Sequence, residues 1–299
     1  MEDFNEFSVT EAVIAQMATT PDDRLREIMA SAVRHLHAFA RDVRLTPAEW
    51  LMGIKFMTDV GKACTPYRQE FVLLSDVLGL SSLVNVLHDA TRMEHGTDTS
   101  LLGPFYREGA PELRLGDNIA RTAGPPVILF GQVVDADGRG IAGAHLQVWQ
   151  TDERGEYDLQ KGDPRNMDDR GCFTTDGVGR FHFRSVRPLG YTIPMDGPVG
   201  ALINAQRRHG CRPAHIHFLI SAPGYRELVT SIYLGDDPHI DSDTVFGVSK
   251  VLVVHAQTGL ADSPDPSIPG IRYEFRLAKA SAADSMSRVG SDPSKLVAV

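Results

Sequence analysis

From Leu25 onward, apolar side chains return every three or four residues, at Leu25, Ile28, Met29, Ala32, Val33, Leu36, Phe39 and Val43. That spacing lays them along one face of an amphipathic helix. Thr20-Pro21, Thr46-Pro47 and Thr65-Pro66 each fit a helix start, with Thr as N-cap and Pro at the first helical position. Asp22 and Asp23 suit the positive end of a helix dipole. Glu49, three residues after Thr46, completes a capping box. The pattern predicts one helix after Thr20, a second over 47–63 and a third from about Pro66. Gly79 ends the third, and Ser81 or Ser82 restarts a short one toward Thr91. His35 and His37 fall in the first helix. Residues two apart on a helix diverge by about 200°, so this pair cannot share a metal ion.

From about Pro125 the period changes. Val127 to Val134, His145 to Trp149, Phe181 to Ser185, Ile216 to Ile220, Leu228 to Leu234, Val251 to Val254 and Tyr273 to Leu277 are short, apolar or alternating, and rich in strand formers. Asp137-Gly138 and Asp176-Gly177 are turn signals between them. Many short strands without long helices between them predict a β-sandwich or barrel. The connections Thr151 to Thr175 and Pro188 to Cys211 are long and polar, and each carries a tyrosine, Tyr157 and Tyr191. The expected chain is mostly β with a helical N-terminal region. Residues 1–120 form that region, 121–280 a β-sandwich domain, and 281–299 a loosely held tail rich in Ala, Ser and Asp. The helices are expected to pack on the β-rich part or on a second subunit.

Charge and cysteine content narrow the function classes. A net charge of −9 without any Lys/Arg cluster argues against a nucleic-acid surface. No apolar stretch approaches a membrane-spanning length. The acidic start, Glu2-Asp3-Phe4-Asn5-Glu6, does not read as a secretory signal. Cys64, Cys172 and Cys211 are odd in number and far apart, so they imply neither a disulfide framework nor a Cys-based zinc site. A reduced, cytoplasmic setting follows.

The chemistry gathers at Arg212-Pro213-Ala214-His215-Ile216-His217-Phe218-Leu219-Ile220. If this run is a strand, His215 and His217 point to one face and can hold a metal ion; otherwise they are two ordinary histidines of a sheet. A third ligand could be a carboxylate, as in two-His, one-carboxylate iron sites, with Glu227 and Asp236 as candidates. It could also be tyrosine, whose phenolate is a hard anionic donor. A free phenol titrates near about 10, so only a strong Lewis acid keeps it ionised at neutral pH. Tyr106, Tyr225, Tyr233 and Tyr273 read as packing residues, and His145, His182 and His255 as structural or surface ones. Cys211, next to Arg212, reads as an inert thiol or as one that could be oxidised or sense metal.

Gly155-Glu156-Tyr157-Asp158, then Tyr191-Thr192-Ile193-Pro194, then Arg212 to His217 resembles the intradiol ring-cleavage dioxygenases in order and approximate spacing. Leu102-Gly103-Pro104-Phe105-Tyr106, the stretch from Gly131 to Trp149, and Ser221-Ala222-Pro223-Gly224-Tyr225 match too, and the helical N-terminal region fits the catechol-type branch. The resemblance implies a β-sandwich holding one non-haem Fe(III) per subunit through Tyr157, Tyr191, His215 and His217, with Tyr157 and His215 equatorial and Tyr191 and His217 axial. It implies that substrate displaces Tyr191, which takes a substrate proton, and that Arg212 stabilises negative charge on the substrate. The substrate pocket would comprise Leu73, Asp76, Leu101, Leu102, Gly103, Pro104, Ile193, Pro194, Arg212, Val245 and Phe246. Asp76 could accept a hydrogen bond from a third substrate hydroxyl, or be a surface helix residue.

Met195 to Gly200 and Asp241 to Val248 look most like the hydroxyquinol-cleaving branch. The implied reaction is cleavage of hydroxyquinol by O2 to hydroxymuconate, equivalent to maleylacetate, in aromatic degradation; catechol or a chlorocatechol is the alternative substrate. One departure stands out. Catechol-type members commonly carry Gln fourteen residues after the second His, and Ser231 stands there here. The family also implies a homodimer through the N-terminal helices, with a phospholipid at their junction. A non-catalytic transthyretin-like sandwich would fit Gly131 to Trp149 alone, but leaves the Tyr157, Tyr191, His215, His217 set unexplained.

Overall fold

The computed structural model describes residues 5–65, 68–90, 96–162 and 166–280. The chain divides between Lys62 and Ala63 into two compact units. The tail expected over 281–299 lies outside the described residues, as do Pro66 and Thr91.

The first unit is helical. α1 (Ser8–Gln16) precedes the expected elements. α2 (Asp23–Asp42) starts later than Thr20-Pro21 predicts, because Asp22 is its N-cap: Oδ1 accepts from the N–H groups of Arg24 (2.8 Å) and Leu25 (3.0 Å). A carboxylate at this position adds charge to the bond that a Thr hydroxyl would make. α3 (Pro47–Ala63) carries the capping box, with Glu49 N–H donating to Thr46 Oγ1 (3.3 Å) and Thr46 N–H to Glu49 Oε2 (2.9 Å). Much of the apolar face of α2 lies exposed, including Leu25, Ile28, Met29, Leu36, Phe39 and Val43.

The second unit opens with α4 (Glu70–Val77) and α5 (Leu80–Ala90), so these helices group with the strands although the sequence pattern sets 1–120 apart. α4 begins at Glu70, not near Pro66. Thr65 N–H bonds Arg68 O (2.8 Å) in a tight bridge, and the buried Glu70 carboxylate accepts from Arg68 Nε (2.8 Å) and from Val199 N–H (3.1 Å). Gly79, at φ +74°, ends α4 as expected.

Among the described residues ten strands follow: β1 (Pro126–Val134), β2 (His145–Gln150), β3 (Arg170–Thr174), β4 (Arg180–Val186), β5 (Tyr191–Thr192), β6 (Cys211–Arg212), β7 (His215–Ser221), β8 (Leu228–Leu234), β9 (Val253–Val254) and β10 (Gly270–Arg276). One sheet runs β10-β1-β4 and the other β3-β2-β7-β8-β9, while β5 and β6 make a separate short ribbon. Val127, Leu129, Phe181, Phe183 and Phe275 of the first sheet share a buried core with Leu146, Phe173, Ile216, Phe218 and Ile232 of the second. This is the expected sandwich, with Phe218 and Phe275 touching across it at 4.6 Å between ring centroids.

Both connections expected to be irregular contain regular structure. Thr151 to Thr175 holds β3, whose first residue, Arg170, is buried by ion pairing to Asp158 and so does not look like part of a sheet. Pro188 to Cys211 holds β5 and α6 (Pro198–Ala205), which begins with Pro at its first turn. Val251 to Val254 shrinks to β9, because Lys250 to Leu252 forms a single 3₁₀ turn. Among the described residues, no single helix is long and apolar enough to cross a membrane.

Candidate metal centre

Period-2 geometry in β7 separates two jobs. Ile216, Phe218 and Ile220 enter the sandwich core, so His215 and His217 share the opposite face. That face is also buried. Across β7, His217 stands opposite Trp149 of β2 and Ser231 of β8, and His215 opposite Tyr233. Trp149 stacks on the His217 ring (centroids 4.8 Å apart, 5° between planes).

The two tyrosine-bearing connections meet here because a glycine lets them. Gly155 lies at φ +81°, and a Cβ on it would fall 2.6 Å from Gly190 O. Asp152 closes the turn, its Oδ1 accepting from Arg154 N–H (2.8 Å) and Glu156 N–H (3.0 Å). Thr151 Oγ1 donates to Leu189 O (2.7 Å), tying the first connection to the second just ahead of Tyr191. β5 pairs with β6 so that Tyr191 is directly opposite Arg212. Phe105 stacks on the Tyr157 ring at 4.2 Å, and the Tyr157 and Tyr191 rings meet edge to face at 5.4 Å.

Three donor atoms converge. Tyr157 Oη is 3.3 Å from His215 Nε2 and 3.1 Å from His217 Nε2, and the two Nε2 atoms are 3.1 Å apart. His215 Nδ1 is 2.7 Å from Pro213 O, which can only accept, so Nδ1 carries the proton and Nε2 a lone pair. His217 Nδ1 is 2.9 Å from Ser231 Oγ, and the Leu101 backbone also bonds this ring. Burial, aided by Arg212, pushes His215 down to about 3. Burial and His215 push His217 well below the usual histidine range. Both rings are therefore neutral. Burial raises the Tyr157 hydroxyl well above the usual phenol range and raises Tyr191 as well, against the pull of Arg212.

Two imidazole lone pairs thus face each other, with one phenol proton available between them. A cation resolves this better than the phenol can. Three N or O donors about 2 Å from a common centre lie about 3–3.5 Å apart, the spacing seen here. The donors are hard to borderline and one is an ionisable phenol, with the Tyr191 ring beside it, which fits a trivalent iron.

Arg212 borders the trio and is itself buried. Its Nη1 is 3.4 Å from Tyr191 Oη and 3.3 Å from His215 Nε2, and its Nε donates to Asp243 Oδ1 (3.2 Å). Burial opposes the guanidinium charge, but Asp243 and Tyr191 outweigh it and keep Arg212 protonated. Arg212 in turn holds Asp243 below the usual carboxylate range despite burial.

The expected pocket residues divide. Leu73, Asp76, Leu101, Ile193 and Val245 are buried. Gly103 lies at φ +73°, and a Cβ there would sit 3.4 Å from His217 Cε1. Asp76 is not a surface residue. Burial raises its carboxyl above the usual range, Ser81 bonds it, and the charges of Arg212 and Asp243 reach it. Pro104 and Pro194 are half-buried, and Leu102 is more exposed. Phe246 stands apart from this group, exposed at φ +58°, with its ring beside Gly79 and under the Arg208 guanidinium.

Sequence reasoning missed Asp243, Phe105, Trp149 and the Ser231 contact. Asp243 lies 31 residues from Arg212, and no local pattern marks that pair. The register of two strands would have paired Ser231 with His217, had it been known.

Comparison with known proteins agrees with this geometry. Residues 102–279 match a family model described as dioxygenase, and residues 22–96 one described as catechol dioxygenase N terminus. A 6-chlorohydroxyquinol 1,2-dioxygenase of Cupriavidus pinatubonensis is 47% identical over 85% of this chain and 92% of its own length. A hydroxyquinol 1,2-dioxygenase of a Rhizobium species is 43% identical over 85% of this chain and 86% of its own. Among solved structures, a hydroxyquinol 1,2-dioxygenase from Pseudomonas putida superposes with a TM-score of 0.84 at 41% identity, over 92% of this chain and 99% of that one. A catechol 1,2-dioxygenase of Acinetobacter radioresistens superposes with a TM-score of 0.79 at 27% identity, over 95% of this chain and 96% of that one.

Proposed function

The chain belongs to the intradiol ring-cleavage dioxygenase family, and from that membership we propose that it cleaves hydroxyquinol (1,2,4-trihydroxybenzene) with O2 to hydroxymuconate, equivalent to maleylacetate, in aromatic degradation. The observation that carries the reaction class is the convergence of Tyr157 Oη, His215 Nε2 and His217 Nε2 within 3.3 Å of one another. These three with Tyr191 would hold one non-haem Fe(III) per subunit. Bound there, Fe(III) would supply Lewis acidity that favours the ionised form of two adjacent substrate hydroxyls and the reaction of the ring with O2, both atoms of which enter the product.

The chain's own groups handle protons and charge. Burial raises the affinity of Tyr191 for its proton, so Tyr191, when not held by the metal, would keep a proton taken from a substrate hydroxyl. Arg212 presents a fixed positive charge in a dry site, where it counters negative charge developing on the ring. Asp243 keeps that guanidinium in place. Leu73, Leu101, Ile193 and Val245 supply apolar walls that exclude water, and Gly103 leaves room beside His217. Leu102, Pro104 and Pro194 are assigned to the pocket rim, while the exposure of Phe246 leaves it the least supported of the pocket set.

Asp76 supports hydroxyquinol over catechol or a chlorocatechol. A buried carboxyl within the reach of Arg212 is a partner for a third ring hydroxyl, which catechol lacks. Turnover measured side by side on hydroxyquinol, catechol and chlorinated catechols tests the substrate, and a clear preference for catechol sinks it. Asp76→Asn is expected to lower kcat/KM for hydroxyquinol by about tenfold or more and to affect catechol less. Equal losses on both remove the Asp76 contact.

The exposed apolar side of α2, continued on α3 by Trp50, Leu51, Met52, Ile54 and Met57, supports a homodimer formed through the N-terminal helices, with a phospholipid at their junction. Three free thiols suit a reducing compartment such as the cytoplasm.

A further inference from the structure

Cys211 takes no part in that chemistry. Successive residues of a strand face opposite ways. Arg212 is buried against the tyrosines, while Cys211 is half-buried beside Thr192. His209 lies two residues before it. The turn after β8 brings up His239, whose ring centroid is 5.0 Å from that of His209. One nitrogen from each histidine and Cys211 Sγ all lie within 4.8 Å of one another. That turn is anchored: Asp237 accepts His239 N–H at Oδ1 (2.8 Å) and Ala214 N–H at Oδ2 (2.9 Å).

The geometry points to a second metal site, in which His209, Cys211 and His239 bind one borderline divalent cation such as zinc, with water in the fourth position. Two imidazoles and a thiolate are a donor set that such ions favour, and hard oxygen-seeking ions do not. At zinc bond lengths of about 2.0–2.3 Å, tetrahedral donors lie about 3.3–3.8 Å apart. The three side chains must therefore close by roughly 1 Å from the 4.8 Å limit, and partial exposure leaves them free to rotate. Binding releases the thiol proton. It also breaks one hydrogen bond, because His209 Nδ1 now accepts Cys211 N–H (3.2 Å). Coordination through Nδ1 uses that lone pair, and coordination through Nε2 needs the proton on Nδ1. The surrounding groove carries Arg207, Arg208 and Lys250 against Asp241 and Asp243, so the local field does not favour a cation and the binding energy must come from the thiolate and the two imidazoles. A similar trio, Glu112, His145 and Cys172, is already accounted for by the His145–Glu112 contact (3.2 Å) and the buried Cys172 thiol donating to Ala110 O.

The test uses tag-free, iron-loaded full-length protein, so the tyrosine-histidine centre is filled and the result does not depend on the reaction proposed above. Equilibrium dialysis against zinc should add one zinc per chain without loss of iron or change in its visible absorption. Cys211→Ser and His239→Ala should each weaken that zinc at least tenfold while keeping the iron absorption. Cobalt(II) as a spectroscopic probe should give a thiolate-to-cobalt band that Cys211→Ser abolishes. Absence of the extra zinc, its survival at full affinity in either variant, or cobalt binding without the thiolate band overturns the assignment.

Discussion

Replacing Ser231 by alanine removes one hydroxyl from a place where water cannot substitute for it. Ser231 is fully buried, stands directly across the sheet from His217, and puts Oγ 2.9 Å from His217 Nδ1. Its hydroxyl also bonds Tyr233, whose Oη is 2.8 Å from Ser100 Oγ, and Ser100 donates on to Gly247 O (3.2 Å). Gly247 N–H in turn bonds Asp243 Oδ2 (2.9 Å), the partner of Arg212. A run of hydroxyls thus connects the His217 imidazole, a proposed metal ligand, with the loop that fixes the Arg212 guanidinium. Losing a single such bond costs about 1 kcal/mol net, and up to about 3 if a buried donor is left bare. The Leu101 backbone still bonds the His217 ring, which sets the expected stability loss near the lower figure. Partners that orient a ligating histidine are worth about 10- to 100-fold in metal affinity, or about 1.4–2.7 kcal/mol.

Ser231→Ala should therefore surrender iron to a competing chelator about 10- to 100-fold more readily, with a moved visible absorption band and a Tm lowered by a few degrees. Ser231→Thr keeps the hydroxyl on a strand that tolerates branching and should recover most of the affinity. If the alanine variant holds iron as tightly as the unaltered protein and its band stays put, Ser231 does not orient His217.

Three further outcomes are expected. The iron-loaded protein should be red to burgundy from phenolate-to-iron charge transfer, and Tyr157→Phe and Tyr191→Phe should each shift or weaken that absorption; an unchanged spectrum removes the residue concerned from the metal site. Burial and neighbouring Asp168 push Asp169 up to about 6, so the unfolded chain gives up this proton first, and stability is lost as pH rises from about 4 through about 6. Asp169→Asn tolerates the same left-handed backbone (φ +54°) and should flatten that fall, by up to about 3 kcal/mol, in denaturant titrations at pH 4.5 and 7; an identical pH slope refutes the assignment. Leu36→Glu combined with Phe39→Glu charges the exposed side of α2 and should turn the proposed dimer into monomer in sedimentation velocity, whereas an unaltered sedimentation coefficient argues that the helices are not the interface.

Apolar periodicity reports which face of an element is dry. It does not report which charge is cancelled inside. The two-residue alternation in β7 was enough to place both imidazoles on one face, and the capping box at Thr46 and Glu49 was readable because both partners are local. Arg170 and Arg212 are harder. Each is a charged residue at the end of a strand, Arg170 opening β3 and Arg212 closing β6, and each is buried because a carboxylate from elsewhere accepts its hydrogen bonds: Asp158 twelve residues away, Asp243 thirty-one. In sequence Arg170 looks like surface, so β3 hides in a polar connection, and nothing local marks Asp243 as the partner of Arg212. Burying one charge alone would be strongly unfavourable, so arginine and aspartate in each pair must enter together. Asp76 follows a related logic: the sequence leaves it a pocket residue or a surface one, and only the closing of the chain buries it, which raises its proton affinity against the pull of Arg212. The convergence of Tyr157, His215 and His217, the proposed metal ligands, was legible because these residues follow strand geometry and a family pattern. Arg212 was legible with it, but its partner Asp243 was not, because the fold brings that carboxylate in from far along the chain.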